Sequence, residues 1–122
     1  MNRILLIDDD PTLRKLFSQF LSKNGYEVSQ AENGKIGLDQ IELEKPDLII
    51  TDILMPEMDG LEILLALRKK STVPIIAISG GMRGLPVDFL KQAKLFGARY
   101  VFEKPVPLGA LLSAVKDLLK AK

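Results

Sequence analysis

The chain of 122 residues contains no cysteine, no histidine and no tryptophan. Without cysteine there is no disulfide, thiol chemistry or thiolate metal site, a usage that fits a cytoplasmic protein. Without histidine there is no imidazole base or ligand, and no phosphohistidine carried by the chain itself. Aromatic residues make up only 6% of the sequence and apolar residues 47%, so the core must be mostly Ile, Leu and Val. An excess of one charge is missing too: 17 Lys and Arg face 16 Asp and Glu, a net charge of +1. That balance gives no electrostatic footprint for nucleic acid or an anionic membrane. No apolar run approaches the roughly 20 residues of a membrane span, and the first residues lack a signal-peptide pattern. The length fits one core, so a single domain over residues 1–122 is expected.

What is present is an alternation of short apolar runs with amphipathic stretches. Ile4-Leu5-Leu6-Ile7 is apolar without alternation, as in a strand covered on both faces. Leu13, Leu16, Phe17, Phe20 and Leu21 then recur at helical spacing, and Gly25 ends that helix. Tyr26-Glu27-Val28-Ser29 alternates apolar with polar, the pattern of an edge strand. A helix is predicted near Lys35 to Glu44 although Gly37 lies inside it, at a cost of about 1 kcal/mol. Leu48-Ile49-Ile50 predicts another buried strand, and Leu61, Leu64, Leu65 and Arg68 a third helix. Val73 to Ile78 follows as a strand with Pro74 near its start, where a missing N–H is tolerable. Phe89, Leu90, Ala93 and Phe96 predict a fourth helix closed by Gly97. Tyr100-Val101-Phe102 is the last strand. Leu108, Leu111, Leu112, Val115, Leu118 and Leu119 stripe the last helix, which Pro107 starts at its first position.

Five strands alternating with five helices predict an α/β fold, a doubly wound parallel sheet with right-handed crossovers. Placing the alternating second strand at an edge gives the flavodoxin-like order 2-1-3-4-5. Ligands of such sheets bind beyond the carboxyl ends of the strands, where the strand order switches. Asp8-Asp9-Asp10, Asp52, Ser79 and Lys104 all fall at such ends. Asp10 precedes Pro11 and reads as the N-cap of the first helix. Asp8 and Asp9 alone would pass for a solvated loop, but strands 1 and 3 are neighbours, which brings Asp52 to them. Two carboxylates about 4 Å apart repel by about 4 kcal/mol at an effective dielectric near 20, so three together need a cation or a proton. Oxygen-only donors in small number suit Mg2+ better than Zn2+. Lys104, after a buried strand and before Pro105, is otherwise an ordinary surface lysine; here it supplies the complementary charge. Ser79 is otherwise a turn residue. Beside Gly80-Gly81 it offers a small donor with room for a tetrahedral anion.

These motifs resemble the response-regulator receiver family, with its CheY-like fold, from end to end. The matching residues are Ile7-Asp8-Asp9-Asp10-Pro11 with Arg14, Ala31-Glu32-Asn33-Gly34, Pro46 to Asp52, and Met55-Pro56 with Asp59-Gly60. They continue with Pro74-Ile75-Ile76 leading to Ser79-Gly80, then Gly97-Ala98 and Lys104-Pro105. The resemblance implies that Asp52 accepts a phosphoryl group as a two-component phosphorelay receiver, with Lys104 and Ser79 holding phosphoryl oxygens. It implies Mg2+ held by Asp9, Asp52, the backbone carbonyl of Leu54 and, mainly through a water, Asp8. Lys104-Pro105 is expected to be cis. The phosphodonor would be a phosphohistidine on a sensor histidine kinase or histidine phosphotransfer protein. The domain would switch binding surfaces for a protein target, would catalyse only its own phosphorylation and dephosphorylation, and leaves room for a dimer formed on phosphorylation.

The chain departs from the pattern at Val101, three residues before Lys104, where many members carry an aromatic. Val has no polar tip and one restricted torsion, so the signal is expected to run through the loop after Ser79 and the fourth helix. Leu54 and Gly81 flank the path of attacking water without a side-chain donor or acceptor, so no unusually fast self-dephosphorylation is expected. No output region is expected from the residues after the fifth helix, so the chain reads as a stand-alone receiver or as one cut from a longer protein. Three other readings compete with this one. A phosphatase resembling the haloacid dehalogenases needs an Asp two residues after its nucleophile, where this chain has Leu54. A nucleotide- or flavin-binding module needs a Gly- or Ser/Thr-rich loop after strand 1, where this chain has three carboxylates that repel phosphate. A receiver that only binds a partner would not need its acidic set.

Overall fold

The computed structural model describes residues 2–52, 54–55, 58–59, 65–66, 68–69, 73–79 and 97–119. The fourth predicted helix, Phe89 to Phe96, and most of the third lie outside these residues; 65–66 and 68–69 are helical. Strand β1 (Arg3–Ile7) leads to helix α1 (Pro11–Lys23), β2 (Glu27–Ala31), α2 (Gly34–Glu44) and β3 (Leu48–Asp52). After Asp52 a small antiparallel pair forms from β4 (Leu54–Met55) and β5 (Met58–Asp59). The chain continues through β6 (Ile75–Ser79) and β7 (Ala98–Glu103) to α3 (Leu108–Leu119). The five long strands form one parallel sheet in the order β2-β1-β3-β6-β7. This is the predicted 2-1-3-4-5 order, with the alternating strand at an edge.

The unpatterned apolar strands follow from burial on both faces, because successive side chains of a strand point to opposite sides. Leu5, Ile7, Ile49, Ile75 and Ala77 pack with Ile41 of α2 on one side. Ile4, Leu6, Leu48, Ile50, Ile76 and Ile78 pack with Phe17 and Leu21 of α1 and Leu111 and Val115 of α3 on the other. Leu16, predicted on the buried face of α1, is instead 48% exposed. Strand β2 begins at Glu27 and runs to Ala31, one residue later than predicted at its start and two at its end. Sheet pairing with β1 sets those limits, Arg3 to Glu27 through Ile7 to Ala31.

Gly37, costly on propensity alone, is required by packing. A Cβ there would lie 2.5 Å from Ile7 Cδ1 and 2.8 Å from Ile7 Cγ1, so glycine lets α2 settle on β1. Gly25, with φ of 95°, supplies the left-handed turn between α1 and β2. Asp10 is the N-cap of α1 and accepts from the N–H groups of Thr12 (2.9 Å) and Leu13 (3.3 Å), with Pro11 at the first position, as predicted. Pro107 differs slightly: its carbonyl accepts from Leu111 N–H (3.0 Å), so it precedes the first residue of α3. Among the described residues no helix is long and apolar enough to cross a membrane.

Candidate functional site

Strand parity and register assemble the site. Even-numbered residues of β1, β3 and β7 (Leu6, Ile50, Phe102) face the α1/α3 side of the sheet. Asp8, Asp52 and Lys104 continue that parity at, or one residue past, the carboxyl ends of the same strands. Ile7 pairs with Thr51 and Asp52 with Ile78, while Ser79 pairs with Glu103, so the three side chains meet across the sheet. Lys104 Nζ donates to Asp52 Oδ2 at 3.0 Å and lies 3.3 Å from Asp8 Oδ2. Asp8 and Asp52 are 0% and 2% exposed, whereas Asp9 faces solvent. Asp8, Asp9 and Asp52 each present a carboxylate oxygen within 4.8 Å of the others.

One ammonium does not satisfy this set. Asp8 Oδ1 accepts from Asp10 N–H at 2.8 Å, but among the described residues the buried Oδ2 has only the ion contact with Lys104 and accepts no well-aligned hydrogen bond. Burial pushes the Asp8 carboxyl from 3.8 up to about 6; the Asp10 N–H opposes this, the charge of Asp52 adds to it, and Lys104 relieves part of it. Burial also pulls the Lys104 ammonium down, but the hydrogen bond and charge of Asp52, with Asp8, outweigh it and hold the pKa above the usual 10.5. A buried carboxylate oxygen short of a partner, beside two further carboxylates, is the donor chemistry of a hard cation. The three acidic residues could hold a metal ion there.

The structure therefore brings together Asp8, Asp9, Asp52 and Lys104. Ser79 ends β6 and Leu54 begins β4, two residues from Asp52, but their side chains are outside the described ones, as is Gly81. Lys104-Pro105 is cis, as expected. Val101 packs on the α2 side, while Tyr100 and Phe102 stack with centroids 6.2 Å apart on the opposite face. Tyr100 Oη donates to Asp117 Oδ2 of α3 at 2.6 Å. Sequence reasoning gave no role to Arg14, whose Nη1 donates to the carbonyl of Asp8 at 2.6 Å. The available signal was its place one turn into α1, from which a side chain leans back toward the strand end.

Comparison with known proteins identifies the family. The family described as response regulator receiver domain matches residues 4–116, and the chain belongs to it. It is thus a receiver domain of two-component signalling rather than a classical enzyme. It is 34% identical to Sporulation initiation phosphotransferase F of Bacillus subtilis, over 98% of this chain and 95% of the relative. It is also 34% identical to Response regulator MprA of Mycolicibacterium vanbaalenii, over 97% of this chain but 50% of that protein. A two-component response regulator structure from Clostridium difficile superposes with a TM-score of 0.92 at 26% identity, covering 99% of this chain and 98% of that one. Chemotaxis protein CheY4 of Vibrio cholerae gives 0.87 at 30% identity, covering 98% and 99%.

Proposed function

We propose that residues 1–122 form one receiver domain that takes a phosphoryl group onto Asp52 from a phosphohistidine on a sensor histidine kinase or histidine phosphotransfer protein, with Mg2+ as cofactor. The observation that carries this is the buried Asp52 carboxylate held 3.0 Å from Lys104, with Asp8 and Asp9 completing an acidic triad. An Asp52 oxygen attacks phosphorus, the P–N bond breaks, and its electron pair leaves on the partner's imidazole, which takes up a proton. Bound Mg2+, held by Asp9, Asp52, the Leu54 carbonyl and, through water, Asp8, would neutralise charge on the transferring group. Lys104 exchanges its Asp52 contact for a phosphoryl oxygen, and the Ser79 hydroxyl donates to another. Water later cleaves the acyl phosphate. The domain then acts only on itself, in the cytoplasm, and signals through a protein surface changed by phosphorylation.

The test is incubation with Mg2+ and a small-molecule phosphodonor, read by intact mass. The wild type gains one phosphoryl group, a chelator prevents it, and Asp52→Asn gains none. Labelling of Asp52→Asn, or none of the wild type, refutes the assignment.

A further inference from the structure

The acidic loop is held from α1 at two points. Arg14 N–H donates to the carbonyl of Asp10 at 3.0 Å, and its guanidinium Nη1 donates to the carbonyl of Asp8 at 2.6 Å. The Asp8 carbonyl belongs to the peptide unit joining Asp8 to Asp9. It lies just beyond Ile7, the last residue of β1 paired to β3, so the strand ladder does not fix its plane. A rotation of that plane would swing the Asp9 side chain relative to Asp8. A charge-assisted bond from a planar guanidinium is short and directional enough to prevent this.

We propose that Arg14 is a positioning residue for the metal. It locks the Asp8–Asp9 peptide so that both carboxylates face the same point. This rests on reading Asp8, Asp9 and Asp52 as the Mg2+ site. Positioning and simple charge give opposite signs here. As a cation beside an acidic cluster Arg14 repels an incoming Mg2+, so charge alone requires tighter binding once it is neutralised. As a clamp, its loss weakens binding, by about tenfold if it acts like other groups that orient metal ligands.

The experiment is Mg2+ titration by calorimetry on the full chain for the wild type, Arg14→Met, which keeps the aliphatic stem, and Arg14→Lys, which keeps one donor and the charge. The expected result is a dissociation constant about tenfold higher for Arg14→Met, partly restored in Arg14→Lys. The deficit should lie in the Mg2+ needed for half-maximal phosphorylation, with the rate at saturating Mg2+ approaching the wild type. If Arg14→Met does not fold, weaker binding in Arg14→Lys supports the clamp and equal or tighter binding overturns it. Equal or tighter binding by a folded Arg14→Met overturns it directly while leaving the site assignment intact. A wild type that takes up no Mg2+ overturns both.

Discussion

Replacing Asp8 by Asn separates the cost of the acidic cluster from its use. The Asp8 carboxyl is raised from 3.8 to about 6, chiefly by burial. At about 1.4 kcal/mol per unit, its ionised form costs the folded state about 3 kcal/mol. Below about pH 4 the group is neutral folded and unfolded, and the penalty is absent. Between about pH 4 and 6 the folded state binds more protons, so stability falls as pH rises; above about pH 6 the full penalty is present. Asparagine keeps an oxygen for the Asp10 N–H and leaves Lys104 to Asp52. Its amide replaces Oδ2 opposite the ammonium, which trims the gain to about 1–2 kcal/mol at neutral pH. Urea unfolding with chelator at several pH values measures this, and subtracting the variant's curve removes the contribution of carboxylates that do not interact with Asp8. The difference should open between about pH 4 and 6 and then level off. Mg2+ at a hundredfold its dissociation constant should stabilise the wild type by about 2.7 kcal/mol and the variant by less. A variant less stable than the wild type at neutral pH without metal, or a difference flat across that window, would refute the reasoning.

Other outcomes follow from the same contacts. Lys104→Met removes the ammonium shared by the buried Asp8 and Asp52 and should destabilise the metal-free domain by about 3 kcal/mol in urea unfolding, with partial recovery in Mg2+. Gly37→Ala gains helix propensity but drives a Cβ into Ile7, so its thermal midpoint should fall, by about 1 kcal/mol in stability. Asp10→Ala removes the N-cap of α1 and should cost about 1 kcal/mol. The phosphorylated domain should persist for longer than seconds, since Leu54 and Gly81 offer no side-chain hydrogen bond to water; decay within seconds by intact mass would contradict this.

The sequence alone determined the periods of the elements and the chemistry at their ends. Ile4 to Ile7 had to be covered on both faces because it lacks alternation, and Asp10 had to cap α1 because Pro11 follows it. The neighbours Asp8 and Asp9 could not be told apart by any local pattern, yet one is fully buried and the other exposed. Nor could the pattern place Leu16 outside the core or explain Gly37, since both depend on how closely a helix lies on its neighbours. Tertiary structure decided these; it set Lys104, expected beside the acidic set, 3.0 Å from Asp52 and 3.3 Å from Asp8, and it gave Arg14 a carbonyl to hold. Local sequence sets which way a side chain leaves its own strand or helix. Distances between groups far apart in the chain are set only when register and packing fix all the elements at once.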